Sequence, residues 1–238
     1  MTYTFMGLSK ETGEIGFVVT TCSVACGARL STLTRAGALI ISQAFARPEL
    51  AIEASELLEG GKSFEDMDEA LAAKDSFYSW RQLGILTRDG KAFVHTGKDC
   101  DDWKGQIIGK DYISMGNLLV GQRLLEAMAR AFEDSRGETL AERLLRAIEA
   151  GQKSGGQDWH GDWLPELSSQ LCVYGVSRMP EIDLRVDFDT NAVDALRRLY
   201  RAYRKVENGY NLGAENPPKC LEYLAGTFEE LDLYNAQV

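Results

Sequence analysis

Apolar and polar positions along this chain alternate in short blocks, some with the period of a strand and some with that of a helix. Thr2 to Leu8 and Ile15 to Thr21 are apolar, β-rich runs joined by the polar turn at 9–14, and they predict an opening hairpin. Residues 38–42 predict a further strand. Residues 82–87 and 91–96 flank Asp89-Gly90, a dipeptide that accepts positive φ in a tight turn, and predict a second hairpin. Residues 171–175 and 182–187 predict the last two strands.

Helical spacing occupies the intervals. Pro48 suits a first helical turn, and Leu50, Ala54, Leu57 and Leu58 form one apolar face that ends at Gly60-Gly61. Ser63 with Asp66 has the form of a capping box and opens a helix through Met67, Ala70 and Leu71. Residues 119–132 and 139–150 predict a second helical pair, the latter introduced by Thr139 and Glu142. A polar, Gly-rich loop follows, and 192–206 predicts a long helix with Leu196, Leu199, Tyr200 and Tyr203 on one side. Beyond Asn208, Pro217-Pro218 and the apolar positions of 221–233 predict a linker and a short terminal helix. Hairpins separated by helix pairs imply mainly antiparallel sheets covered by helices, a layered α+β domain over 1–207 with an extension over 208–238.

Composition narrows the function classes. A net charge of −10 disfavours a nucleic-acid partner, because phosphate binding needs clustered Lys and Arg. No apolar run approaches the roughly 20 residues that span a bilayer, and the N-terminus lacks a signal peptide's basic flank and long apolar core, so a cytoplasmic protein is expected. The five cysteines, Cys22, Cys26, Cys100, Cys172 and Cys220, read as free thiols. Cys22 and Cys26 lack a second ligand pair at zinc spacing, and Cys22 is not favoured as a nucleophile. Asp158, His160 and Asp162 read as an exposed polar loop, and 99–102 as a solvated turn without calcium-loop spacing. No metal and no cofactor are expected.

One pair of residues carries potential chemistry. Thr2 stands directly behind Met1, and a small residue there permits removal of the Met. The chain then begins with a hydroxyl beside a free α-amine, nucleophile and general base in one residue. The amine's ordinary pKa of about 7.7–8.0 leaves much of it unprotonated near neutrality.

Several strings recur in order with this opening. They are Thr2-Tyr3-Thr4, Glu11-Thr12-Gly13-Glu14-Ile15-Gly16, Thr34-Arg35-Ala36-Gly37 with Gln43-Ala44, and Arg81-Gln82-Leu83-Gly84. Thr96-Gly97, Gly116-Asn117-Leu118-Leu119 and Asp183-Leu184-Arg185-Val186-Asp187 complete the set. Over roughly 2–204 the chain resembles a bacterial family, domain of unknown function ten twenty-eight (DUF1028), assigned to the N-terminal-nucleophile (Ntn) hydrolase fold. The resemblance implies a four-layer αββα sandwich and, as a reaction class, amide-bond hydrolysis.

The same resemblance implies the site. Thr2 is the nucleophile, and Thr21 hydrogen-bonds its amine. Arg35 stands at about the position where proteasome-like relatives place a Lys. Backbone amides around Gln43-Ala44, or the Asn117 side chain, stabilise the oxyanion. Structural alternatives stand beside these roles: an ion pair for Arg35, loop-holding for Asn117, and an Arg81–Asp75 pair. Two departures from the family pattern are Cys22, where a basic residue is common, and the loop from Gly155 to Trp163, with Glu166 near the usual Arg. A substrate pocket lined by that loop is expected to favour a different, less anionic ligand.

The expected function is an amidohydrolase acting on a small amide, N-acyl compound or short peptide. The alternative is a catalytically silent member that binds a small metabolite or serves as an oligomeric structural protein. Pairing of Leu221, Leu224 and Phe228 across a two-fold axis is expected to give a homodimer.

Overall fold

In the computed structural model the described residues are 1–28, 30–34, 37–101, 103–177 and 179–230. The opening hairpin forms as β1 (Thr2–Leu8) and β2 (Ile15–Thr21), followed by β3 (Ser31–Leu33) and β4 (Leu39–Ala44). Helices α1 (Pro48–Glu59) and α2 (Phe64–Lys74) come next, and the Ser63 hydroxyl accepts the Asp66 amide at 3.0 Å to cap α2. Strands β5 (Arg81–Leu86) and β6 (Ala92–Thr96) form the Asp89-Gly90 hairpin.

Two strands then appear where none is predicted, β7 (Gly105–Gly109) and β8 (Tyr112–Asn117), joined through Asp111 at φ 66°. Helices α3 (Gln122–Asp134) and α4 (Leu140–Lys153) follow, with Thr139 accepting the Glu142 amide at 3.3 Å. The expected polar loop contains a small hairpin, β9 (Gln157–Trp159) and β10 (Asp162–Leu164), which turns at His160 and Gly161, both with positive φ. Strands β11 (Ser168–Tyr174) and β12 (Pro180–Val186) precede α5 (Ala192–Glu215) and α6 (Pro217–Glu230). The stretch expected as a linker is helical: α5 runs through Asn208 to Glu215, and Pro217 opens α6, where its fixed φ suits a first turn. Among the described residues no helix is long and apolar enough to cross a membrane.

The strands make a six-stranded sheet ordered β12-β11-β2-β1-β8-β7 and a four-stranded sheet ordered β3-β4-β5-β6, with antiparallel pairing throughout. The architecture is therefore α+β with antiparallel sheets. Strand alternation sorts the core into three apolar clusters. Tyr3, Phe5, Val18 and Leu171 pack with Leu124, Met128, Leu144, Ile148 and Leu196 from α3, α4 and α5. Met6, Phe17, Val19 and Met115 meet Leu39, Ile41 and Leu86 of the other sheet. Ile40, Leu83 and Ile85 pack on Leu50, Ala54, Met67 and Leu71 from α1 and α2. Arg197 of α5 holds Glu149 at 2.5 Å and Glu142 at 2.6 Å, tying it to α4.

Gly7 sets the approach of α3 and α4 to β1. A Cβ at Gly7 would lie 2.9 Å from the Phe132 ring, and that ring is fixed by Phe5 at 4.7 Å and by the Arg143 guanidinium at 3.8 Å. Gly7→Ala is expected to destabilise the fold by about 1–3 kcal/mol through overpacking, read as a lower urea midpoint with unchanged slope.

Candidate functional site

The site is assembled at the beginning of β1, the strand flanked by β2 and β8. Register places Thr2 opposite Thr21 on one side and Asn117 on the other. Thr2 shares its face of the strand with Thr4 and Met6, the face turned to the four-stranded sheet, because Tyr3 and Phe5 point to the helices. All three expected residues are nearly enclosed, Thr2 at 6%, Thr21 at 3% and Asn117 at 2% exposure.

Two hydrogen-bonded groups fill this end of the fold. In the first, Thr2 Oγ1 donates to Thr21 Oγ1 at 3.3 Å, and Thr21 Oγ1 donates to the Met1 carbonyl oxygen. The Ser23 amide also reaches Thr21 Oγ1, at 3.3 Å. In the second, Thr4 Oγ1 donates to Gln43 Oε1 at 2.6 Å, and Gln43 Nε2 donates to Gln82 Oε1 at 2.7 Å. Asn117 Nδ2 donates to the same Gln82 oxygen at 3.0 Å. Gln82 Nε2 faces the Gly116 carbonyl, Thr96 Oγ1 and the Gly105 carbonyl at 3.0–3.2 Å.

The expected residues thus separate. Thr2, Thr21 and Asn117 are side by side. Gln43 bonds Thr4, one pleat deeper, and its side chain is fully engaged. Arg35 lies outside the described residues. Arg81 pairs with Asp75 at 3.1 Å, the structural role considered for it.

Met1 closes the site from outside. Its carbonyl is held by Thr21, and its sulfur lies 3.4 Å from the Cys22 sulfur. Burial pulls the Met1 ammonium below the usual α-amine range, against the opposing influence of Cys22, Asp101 and Cys100. With Met1 attached, the Thr2 nitrogen is a peptide amide and has no basicity to lend its hydroxyl. Burial raises the Cys22 thiol, which works against a thiolate there. Among the described residues no group of three His, Cys, Asp or Glu is disposed to hold a metal ion.

Backbone strain gathers at the same end. Ala44 follows Gln43 at φ 71°, Leu118 follows Asn117 at φ 53°, and Ala25 lies beyond Thr21 at φ 54°. A non-glycine residue in this region costs on the order of 1–3 kcal/mol, so the surrounding contacts must hold it.

Sequence reasoning assigned no site role to three buried polar residues here. Gln82, fully buried, is the hub of the amide group, and its signal was a polar residue at an inward position of an apolar strand. Gln157 accepts the Cys22 amide at 3.1 Å, while its Nε2 makes no hydrogen bond among the described residues. Glu166, 2% exposed, accepts the Tyr3 hydroxyl at 3.0 Å. No local pattern marks Gln157 or Glu166, because their partners are distant in sequence.

Gln82→Leu removes the shared acceptor of two buried amide donors and is expected to cost about 2–4 kcal/mol, measured by urea unfolding. Glu166 gives a pH test. Burial lifts its carboxyl above the ordinary range, with the Tyr3 hydroxyl working in the other direction. A raised folded pKa means that its contribution is present below the unfolded value of about 4.3 and is lost as pH rises through the folded value. Relative to wild type, Glu166→Gln should gain stability progressively as pH is raised from about 4.3 through the elevated folded-state value. A pH-independent difference would contradict titration of Glu166 in that window.

Comparison with curated proteins gives no match. A crystal structure of a Silicibacter pomeroyi protein matched to DUF1028 superposes with a TM-score of 0.74 at 29% identity, covering 85% of this chain and 88% of that one. The model of the family of unknown function DUF1028 matches residues 2–196, and the chain belongs to that family.

Proposed function

We propose that the protein is an Ntn-type amidohydrolase, a four-layer αββα sandwich that cleaves a small amide, N-acyl compound or short peptide through Thr2 once Met1 has been removed. The observation that carries this reading is the register of β1, with the Thr2 hydroxyl between Thr21 and Asn117 on the face turned to the second sheet.

In this mechanism the freed Thr2 amine takes the proton of its own hydroxyl as Oγ1 attacks the substrate carbonyl carbon. Asn117 Nδ2 carries two protons and commits one to Gln82, so the other is available to the oxyanion. Thr21, which now holds the Met1 carbonyl, is released to hold the amine. Arg35 supplies the positive charge that keeps the amine unprotonated. Collapse of the tetrahedral intermediate breaks the C–N bond, and the amine proton passes to the leaving nitrogen. Water then hydrolyses the Thr2 ester.

A second reading, a catalytically silent protein that binds a small metabolite, is favoured by the way Met1 is seated, its carbonyl on Thr21 and its sulfur on Cys22. Homodimerisation through α6 is part of the proposal: Leu221 is 72% exposed, Leu224 packs toward Gly209 of α5, and the Phe228 side chain lies outside the described residues.

Intact-mass measurement of natively expressed protein is expected to show a chain beginning at Thr2. Thr2→Ala should lose amide hydrolysis by at least about 10³-fold, and Asn117→Ala should lose about 10²-fold or more. Retained Met1 in the active protein, or Thr2→Ala with unchanged turnover, would refute the N-terminal mechanism.

A further inference from the structure

A cleft of about 250 Å³ opens at the far end of β1, where the β1–β2 and β7–β8 turns meet the end of α3 and the start of α4. A strand advances roughly 3.3 Å per residue, so Leu8 in the cleft wall lies roughly 20 Å from Thr2. No residue of the cleft takes part in the Thr2 chemistry. Leu8, Tyr112 and Phe132 line it and are nearly buried, which gives it an apolar floor.

Charged side chains of both signs stand around that floor. Two ion pairs are complete: Asp111 holds Lys10 at 2.9 Å, and Glu138 holds Arg146, outside the cleft, at 2.7 Å. The remaining charges have no ion-pair partner among the described residues. They are the cations Lys110, Arg136 and Arg143 and the carboxylates Glu11 and Glu133, the latter accepting the Tyr112 hydroxyl at 2.8 Å.

Arg143 is the most firmly placed of these. Its guanidinium lies 3.8 Å from the centre of the Phe132 ring, and Nε and Nη2 donate to the Phe132 carbonyl at 3.4 and 3.3 Å. That stacking and anchoring fix its orientation and leave Nη1 without an acceptor among the described residues. Burial pulls the guanidinium below its usual range and Arg136 adds to the pull, against Glu11 and Asp111. A desolvated cation without a counter-ion is stabilised by an anion placed beside it. A plain anion would, however, also meet Glu11 and Glu133. A ligand with an ammonium one carbon away from its carboxylate suits both sets of charges.

We propose that this cleft binds a small zwitterion of the α-amino-acid class, its carboxylate among Arg143, Arg136 and Lys110 and its ammonium toward Glu11 and Glu133. The site is separate from Thr2 and independent of the amidohydrolase reading.

Backbone-amide NMR shifts of the full chain locate and quantify such binding. The probes are L-alanine and L-leucine, each beside its analogue without the ammonium (propionate, 4-methylpentanoate) and without the carboxylate (ethylamine, 3-methylbutylamine). At least one amino acid is expected to shift the amides of Ser9, Asp111 and Gly137 with a Kd below about 10 mM, and both of its analogues to bind at least about fivefold more weakly. Arg136→Ser and Lys110→Ser should each weaken the amino acid about fivefold, whereas Arg201→Ser on α5 should leave it unchanged. Arg143→Lys keeps the charge, loses the planar fork and should weaken it at least about tenfold. Lys110 and Arg136 are exposed, so their variants test the cleft even where that one fails to fold. Glu11→Gln should weaken the amino acid but not its ammonium-free analogue, and Thr2→Ala should bind as wild type does.

A Kd above about 10 mM for both amino acids would overturn the proposal. So would an ammonium-free analogue that binds as tightly as its parent, which makes the cleft an anion site only. Binding insensitive to both Lys110→Ser and Arg136→Ser, or weakened equally by Arg201→Ser, would also overturn it, by assigning the shifts to another place or to diffuse charge.

Discussion

Burial of β1 on both faces and both edges is the constraint from which the rest of this structure follows. Each residue from Thr2 to Leu8 is buried, and the strand hydrogen-bonds to β2 on one side and β8 on the other. A strand enclosed in this way has little freedom of register, since a slip of one residue would send Tyr3 and Phe5 between the sheets and turn the threonines to the helices. The helix-side packing of Phe5, Phe132 and Tyr112 therefore does more than stabilise. It fixes which atoms of Thr2 face the second sheet, and with them the pairing of Thr2 with Thr21 and Asn117.

The second sheet answers with polar rather than apolar side chains at this level. Gln43 and Gln82 are fully buried, yet each bonds across to the first sheet, Gln43 through Thr4 and Gln82 through Asn117 and the Gly116 carbonyl. Buried amides contribute little net stability when satisfied and cost heavily when broken. Their effect here is positional: they lock the ends of β4 and β5 against β1 and β8 just below Thr2. The positive φ at Ala44 and Leu118 falls immediately after two members of this group, so the strain sits where hydrogen bonds on both sides oppose its relaxation.

Much of this was legible in the chain, and the failures share a cause. The hairpin of β1 and β2 and the caps of α2 and α4 are written in local spacing, and the structure has them where the spacing predicts. Strands β7 and β8 escaped because β7 alternates weakly around Gly105 and Gly109, and its turn uses Lys110 and Asp111 instead of an Asn-Gly or Asp-Gly pair. That omission hid the geometry of the site, since β8 delivers Asn117 to Thr2. The β9–β10 hairpin escaped because three-residue strands show no measurable period. Asn117 and Thr21 entered by resemblance, whereas Gln82, Gln157 and Glu166 act through contacts from distant segments that no local window contains.

The electrostatics of the Thr2 end join fold and chemistry. The α-amine of Met1 is desolvated strongly enough to hold its pKa below the ordinary range, even with Asp101, Cys22 and Cys100 opposing that shift. An amine on Thr2 would lie one residue deeper, on a strand position more enclosed than Met1. Desolvation disfavours an ammonium ion wherever it acts, so whatever enclosure persists around a free Thr2 amine would favour its neutral form. On the proposed mechanism that neutral amine is the required base. The apolar packing that gives β1 its register and the low polarity that makes the amine available are then one property of the strand. Loosening the register would therefore displace the threonine hydroxyl and expose its amine together.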